Sequence, residues 1–130
     1  IDNIPGDSEL KNMKLIAKKV FEPLREFVDG PIRINSFFRN IALNKAIGGS
    51  RKSQHCKGQA IDIDDTFGVM PNSAMFNWIQ DNCNFDQLIW EFGDQDNPDW
   101  VHVSYVDSTS NRNRCLQAYR ENGKTKYKVI

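Results

Sequence analysis

Apolar residues near the start of the chain recur with a helical period. Between residues 10 and 28 they follow one another at steps of three, four and one, which predicts one apolar face of a helix of about six turns. Pro23 lies inside this segment, and we expect it to bend or divide the helix. Asp29-Gly30-Pro31 is a stop and turn signal, so the helix is predicted to end there.

The rest of the chain consists of short apolar segments separated by polar loops. The pattern predicts strands over 32–36, 59–64, 87–92 and 100–105, and short helices over 39–47 and from 72 or 73 to about 82. The tail over about 115–130 is predicted to form a hairpin that turns at Asn122-Gly123. Helices first, followed by strands that hairpins can mostly connect, predict an α+β domain with an antiparallel sheet.

Composition and charge narrow the class of protein. The 130 residues are 39% hydrophobic and 26% charged, which argues against a disordered chain and fits one domain over 1–130. Lys plus Arg and Asp plus Glu are 17 each, so binding of nucleic acid by bulk charge is not expected. No apolar run approaches the roughly 20 residues of a membrane span. We therefore expect no nucleic-acid partner and no membrane span. The sequence does not indicate an oligomeric state, and a monomer is the default expectation.

The cysteine pattern is not that of a disulfide scaffold. Cys56, Cys83 and Cys115 are odd in number, and no two of them have the CxxC spacing of a thiolate metal site. Three reduced thiols are the favoured interpretation. One disulfide with a spare thiol remains open.

The two histidines and a nearby aspartate are the strongest candidates for chemistry. Asp62 lies seven residues after His55 and interrupts a strand that otherwise looks buried, so it needs a partner such as a metal ion. Two imidazoles and one carboxylate are a common ligand set for catalytic zinc, which leaves a fourth position for water. Asp99 lies three residues before His102 and is placed to take the proton of that water. A structural role for each histidine is the alternative.

Three stretches of the sequence resemble a known family. Residues 53–62 read SxHxxGxAxD, which resembles the first zinc motif of the M15 metallopeptidases, the group of D-Ala-D-Ala carboxypeptidases and phage endolysins. Asp99-Trp100-Val101-His102 resembles the second motif, an acidic residue three before a ligand histidine. Ser36-Phe37-Phe38-Arg39, with Asn44 and Gly48-Gly49, resembles the SGYR…N…GG stretch that precedes the first motif. The resemblance covers about residues 8–106.

The resemblance implies both a fold and a metal site. The implied fold is that of hedgehog and the D-Ala-D-Ala peptidases, α+β with helices packed on one side of an antiparallel sheet. The implied cofactor is one Zn²⁺ per chain, with His55, Asp62 and His102 as its ligands. Asp99 then corresponds to the general base and acid of the reaction.

The resemblance also implies two residues that touch the substrate. Arg39 corresponds to the arginine that faces the substrate carbonyl or carboxylate, where it would stabilise the oxyanion. Ser53 is expected to hydrogen-bond the substrate or to brace its loop. The chain departs from the family at Phe37, where Gly is frequent, and Cys56 directly follows a predicted ligand. We expect Cys56 to point away from the metal and to be inert.

Three further residues are predicted to lie near the site. Either Asp64 or Glu91 could orient a ligand imidazole, although a solvated or ion-paired acid is the favoured alternative for both. Trp100 could form a wall of the pocket or belong to the core.

The implied function is hydrolysis of an amide bond in bacterial cell-wall peptides that contain D-amino acids, with the peptidoglycan stem peptide as substrate. A carboxypeptidase that removes a terminal D-Ala and an endopeptidase that cuts inside the stem both remain open. The alternative from another class is a catalytically silent zinc-containing module that binds the cell wall. The setting also stays open between a phage lysin and a secreted or periplasmic bacterial enzyme.

Overall fold

The computed structural model describes residues 2–50 and 52–130. The helices are α1 (Asp7–Ile16), α2 (Glu22–Val28), α3 (Ile41–Ala46) and α4 (Asn72–Asn82), and a 3₁₀ helix covers Gln54–Lys57. The strands are β1 (Arg33–Ser36), β2 (Ala60–Asp64), β3 (Gln87–Glu91), β4 (Trp100–Ser104), β5 (Arg114–Glu121) and β6 (Lys124–Val129). The predicted α+β class is confirmed.

The first helical segment is continuous but changes its winding before Pro23. A π-helical turn over Ala17–Phe21 connects α1 to α2, and the backbone N–H of Glu22 donates to the carbonyl of Ala17. Proline has no N–H and its ring crowds the carbonyl four residues earlier, so a wider turn at this point relieves the conflict. Asp29 then ends α2 in the left-handed conformation, with φ of 54°.

The strands form one six-stranded sheet in the order β1-β2-β4-β3-β5-β6. All neighbouring pairs are antiparallel except β3 and β5, which are parallel, so the sheet is mixed. The connection over 105–113 explains the exception. β4 is antiparallel to β3, so β4 ends beside the first residue of β3. The connection crosses β3 at that same end of the sheet, and β5 begins there. β5 is therefore parallel to β3 and antiparallel to β4.

The two faces of the sheet differ in chemistry. One face packs against the helices and forms the main core, which includes the fully buried residues Ile16, Val20, Leu24, Ile61, Ile63, Ile79, Leu88, Val101 and Val103. The other face carries the residues that alternate with these, and it is open to a cleft that is described below. The alternation along the strands thus places the apolar core side chains on one face and the candidate functional side chains on the other.

The C-terminal hairpin matches the prediction from the sequence. β5 and β6 are connected by Asn122 and Gly123, with φ of 53° and 75°. Positive φ at both central residues is the requirement of a type I′ turn, which Asn-Gly satisfies at low cost. None of the helices in the described part of the chain combines the length and apolar character that a membrane span requires.

A buried carboxylate connects the sheet to the 3₁₀ helix. Asp86, 2% exposed, accepts hydrogen bonds from Nε and Nη2 of Arg112 at 2.9 and 2.8 Å and from Nε2 of Gln54 at 2.9 Å. The hydrogen bonds from Arg112 are the largest cause that holds the pKa of Asp86 below its usual range. Because Gln54 begins the 3₁₀ helix, this contact fixes the segment that carries His55.

We expect Asp86→Asn to lower the free energy of unfolding by about 2–4 kcal/mol at pH 7. The substitution removes the negative charge that Arg112 and Gln54 bind in the folded protein. A carboxylate with a lowered pKa in the folded state stabilises the protein above its unfolded pKa of about 4, and this contribution is lost as the pH falls through the acid range. Urea unfolding at pH 7 and pH 3 should therefore show a difference between variant and wild type that shrinks in acid.

The matched control is Glu121→Gln. Glu121 pairs with Lys126 at 3.0 Å, but both side chains are about half exposed, so its loss should change stability by less than about 1 kcal/mol. Equal effects of the two substitutions would contradict the role given to Asp86.

Candidate metal centre

His55, Asp62 and His102 converge on the open face of the sheet. Asp62 on β2 lies directly opposite His102 on β4, and the distance from Oδ1 of Asp62 to Nδ1 of His102 is 2.9 Å. The 3₁₀ helix delivers His55, whose Nε2 lies 3.2 Å from Oδ2 of Asp62. The sequence prediction that these three residues share one site is therefore met in their positions.

The local fold fixes the orientation of the His55 ring. Its Nδ1 lies 2.7 Å from the carbonyl oxygen of Phe37, and a carbonyl only accepts, so Nδ1 carries a proton and Nε2 is the ring nitrogen turned toward Asp62. The Oγ of Ser53 accepts from the backbone N–H of His55 at 3.2 Å and caps the 3₁₀ helix. Ser53 thus braces the loop, and Phe37 takes part through its backbone, which its side chain does not disturb.

The donor set fits a metal ion. The three groups each offer a ligand atom, and these atoms all lie within 4.8 Å of one another. Zinc bonds of about 2.0–2.1 Å place two ligand atoms of a tetrahedral site about 3.3 Å apart, close to the 3.2 Å between His55 and Asp62. Imidazole nitrogen and carboxylate oxygen are ligands that zinc accepts in catalytic sites.

The electrostatics of Asp62 favour its ionised form. Burial alone would raise the pKa of this carboxyl, but hydrogen bonds and charge interactions with His102 and His55 hold it well below its usual range. The side chains of the three residues are at most 15% exposed. A permanent negative charge is therefore held among imidazoles in a sheltered position, as a cation site requires.

Glu91 is a second acid in the same cleft. It lies on β3 opposite Trp100, is 7% exposed, and lines the cleft together with His55, Asp62 and His102. Burial raises its pKa to about 7, and the negative charge of Asp62 adds to the increase. The sequence analysis assigned Glu91 only a possible role in orienting an imidazole. The signal that could have found it is the alternation of β3, which puts an acid on the face of His102.

Arg39 lines the same cleft from the side of β1. Its backbone N–H donates to the carbonyl of His55 at 3.1 Å, and its Nη1 donates to Oδ1 of Asn44 at 3.1 Å. Asn44 is buried, and a Cβ at Gly49 would lie 2.0 Å from its Oδ1, so Gly49 makes the space that this contact needs. Arg39, Asn44 and Gly49 thus form one unit, and the buried Nε of Arg39 has no partner among the described residues.

The structure does not bring Asp99 into this group. Asp99 is exposed, lies just before β4, and lines a neighbouring cavity with Phe92 and Trp100. Its position follows from strand geometry, since residues three apart in an extended segment point to opposite faces and His102 faces the cleft. The backbone N–H of Asp99 donates to the carbonyl of Glu91 at 2.9 Å, which makes the two acids neighbours in the sheet but not in the cleft.

Trp100, Asp64 and Cys56 are the other residues that the sequence predicts to lie near the site. Trp100 lines it, whereas Asp64 accepts a hydrogen bond from Nδ2 of Asn72 at 2.7 Å and does not orient His55. Cys56 is half-buried and is not among the described residues that line the cleft. All three cysteines are free thiols.

Comparison with known proteins gives one match. A family model described as Peptidase M15 matches residues 5–104, which is well over half of the chain. No curated protein matches the chain significantly. The matched range contains all the cleft residues discussed above and ends before the C-terminal hairpin.

Because Glu91 is buried, we expect the metal-free protein to have a lower free energy of unfolding at neutral pH than at acid pH. A carboxyl with a raised pKa binds its proton more tightly in the folded state, so stability is lost as the pH rises from about 4.5 to about 7. Metal-free Glu91→Gln has no such proton to lose and should be more stable than the wild type by about 1–3 kcal/mol above pH 7, with little difference near pH 4. Urea unfolding in the presence of a chelator measures this.

Asp99→Asn is the control for this measurement, because Asp99 is exposed and its substitution should leave the pH profile of stability unchanged. A Glu91→Gln variant that is no more stable than the wild type at pH 8 would show that Glu91 is not held in a costly environment.

Proposed function

The chain belongs to the peptidase M15 family, a family of zinc peptidases, and we propose that it is a zinc-dependent hydrolase of amide bonds in peptidoglycan peptides that contain D-amino acids. The observation that carries the proposal is the arrangement of His55, Asp62 and His102 beside a buried acid in an open cleft of about 630 Å³. The cleft is large enough for a short peptide rather than for a single ion.

His55, Asp62 and His102 are the proposed zinc ligands. A zinc ion bound there supplies Lewis-acid chemistry, polarising a carbonyl and lowering the pKa of a water molecule. The chain's own contribution is to hold three donors in place and leave the side toward the cleft open to substrate. The Phe37 carbonyl supports this arrangement, since its contact with Nδ1 leaves Nε2 of His55 as the ring nitrogen available to a metal ion.

Glu91 is the proposed general base and acid, in place of Asp99. Glu91 is a buried acid that lines the cleft together with the three proposed ligands, so its carboxylate is placed to accept a proton and to return it. Glu91 takes the proton of the attacking water and delivers it to the leaving amine. Asp99 lacks this environment because it is exposed and faces another cavity.

Arg39 is proposed to stabilise the oxyanion that develops on the substrate. Its guanidinium is oriented by Asn44 before substrate arrives, so little reorganisation is needed during the reaction. Ser53 lines the cleft beside it and is proposed to offer its hydroxyl to the substrate backbone while it caps the 3₁₀ helix.

We expect the purified protein to bind about one zinc ion per chain and to release soluble peptides from purified murein. Chelation should abolish hydrolysis and added zinc should restore it, and Asp62→Asn should lose both zinc and hydrolysis because it removes the only anionic ligand. Metal analysis and mass spectrometry of the products measure both. Free D-Ala identifies a carboxypeptidase, and shortened stem fragments identify an endopeptidase.

A protein that binds one zinc ion and the cell wall, but releases no product from murein of several compositions, would instead be a binding module. Failure to take up zinc would contradict the proposed ligand set.

The choice of base is tested by two isosteric variants. Glu91→Gln should keep one zinc ion and lower kcat by roughly 100-fold to 10,000-fold, because it removes the group that transfers the proton. Asp99→Asn should keep kcat within about threefold of the wild type, since Asp99 lies outside the cleft. The reverse result, with the large loss in Asp99→Asn, would return the base to Asp99.

A further inference from the structure

The C-terminal hairpin, which lies beyond the family-matched range, forms one wall of the cleft. β5 pairs with β3 so that Ala118 lies opposite Glu91, and β6 pairs with β5 so that Tyr127 lies opposite Ala118. Residues directly opposite in paired strands share a face, so Tyr127 is on the face of the metal centre. Arg120, Thr125 and Tyr127 all line the cleft that contains His55 and His102.

Ala118 lies between Glu91 and Tyr127 in a row across three strands. Ala118 is fully buried and offers only a methyl group between Tyr127 and Glu91. Tyr127 is about half exposed and lines the same cleft as Glu91 and Asp62. The lysines of the same strand, 124, 126 and 128, alternate with Tyr127 and point to the opposite face.

Arg120 is presented to the cleft by an aromatic support. The guanidinium carbon of Arg120 lies 4.9 Å from the centre of the Phe92 ring, and Phe92 packs in turn against Trp100 at 5.5 Å between ring centres. Phe92 has φ of 58°, an uncommon conformation for a bulky residue, and Arg120 forms no ion pair with any described carboxylate. Asp99 lines the neighbouring cavity together with Arg120 but forms no ion pair with it. A guanidinium held on a ring and not paired with an acid is available to an anion from solution.

Arg39 and Arg120 flank the metal centre from opposite sides. Arg39 follows β1, the metal cluster lies on β2 and β4, and Arg120 lies on β5. Strands are spaced by about 4.8 Å, so the two arginines belong to positions roughly 15–20 Å apart across the sheet. An extended peptide rises about 3.3 Å per residue, so about five residues cover that distance.

We propose that Arg120 binds a carboxylate of the substrate on the side of the metal centre away from Arg39, and that the β5–β6 hairpin thereby selects peptides long enough to reach it. The inference rests on the proposed function for the identity of the substrate. It favours cleavage within a stem peptide that carries carboxylates on both sides of the bond over removal of a single terminal residue. Arg suits this role because its planar guanidinium binds a carboxylate through two parallel hydrogen bonds.

The test compares the affinities of two peptides for two protein variants, and it does not require hydrolysis of either peptide. Zinc-loaded Glu91→Gln protein is titrated by calorimetry with a synthetic stem pentapeptide that has free carboxylates and with its fully amidated counterpart. The parent protein should prefer the free acid, and adding Arg120→Ala should weaken binding of the acid at least tenfold while leaving the amide nearly unchanged. The difference between the two peptides isolates the charge of Arg120 from its contact with Phe92.

Arg114→Ala is the matched control, because Arg114 is an exposed arginine on the same strand that is not among the described residues lining the cleft. It should change neither affinity more than twofold. Arg120→Lys should recover part of the preference for the acid.

Three results would overturn the proposal: no preference for the acid in the parent protein, an equal loss for both peptides in Arg120→Ala, or the same loss in Arg114→Ala. Failure of the proposed function has a different signature. In that case the wild-type protein with zinc hydrolyses neither peptide, whereas the binding preference and its dependence on Arg120 are still measured in the Glu91→Gln background.

Discussion

The burial of the Asp62 carboxylate is the constraint on which the site and much of the fold depend. Moving a carboxylate into a sheltered position costs several kcal/mol unless other groups bind it. The two partners come from different elements, His102 from the adjacent strand β4 and His55 from the 3₁₀ helix. Both the sheet order and the loop that precedes β2 must therefore be correct before Asp62 is satisfied. The loop is in turn fixed by Phe37, Ser53 and the contact between Gln54 and Asp86.

The open face carries a second buried acid beside Asp62. Glu91 is buried near Asp62, and each disfavours the ionisation of the other. A protein selected only for stability would replace Glu91 with an apolar residue, since the facing residues Ile89, Leu116 and Ala118 already form a small apolar cluster. Retaining an acid there is the pattern of a functional site that costs stability. A cation held by Asp62 and the two imidazoles would reduce that cost.

The sequence predicts the elements better than their arrangement. Alternation and helical period identify the strands, the long first helix and the Asn-Gly turn, because these depend on local geometry and on which residues face the core. The proposed ligands His55, Asp62 and His102 follow from short motifs with fixed spacing. The position of Glu91 depends on the pairing of β3 with both β4 and β5, and the parallel pair β3–β5 is not visible in local patterns. The prediction of Asp99 as the base rests on its closeness to His102 along the chain and on the resemblance to the second motif, whereas a spacing of three residues reverses the face in a strand.

The same geometry separates catalysis from a purely structural use of zinc. A structural zinc site is closed by four protein ligands, which hold the fold together and leave no position for another molecule. Here the described residues offer three donors, and the space beside them is a cleft lined by Arg39, Glu91 and Trp100. A module that only binds would gain nothing from a buried acid beside its metal, because such an acid weakens the fold. Proton transfer to and from a molecule in the cleft is a task that this acid can perform. The cost of burying Glu91 therefore argues for turnover over passive binding.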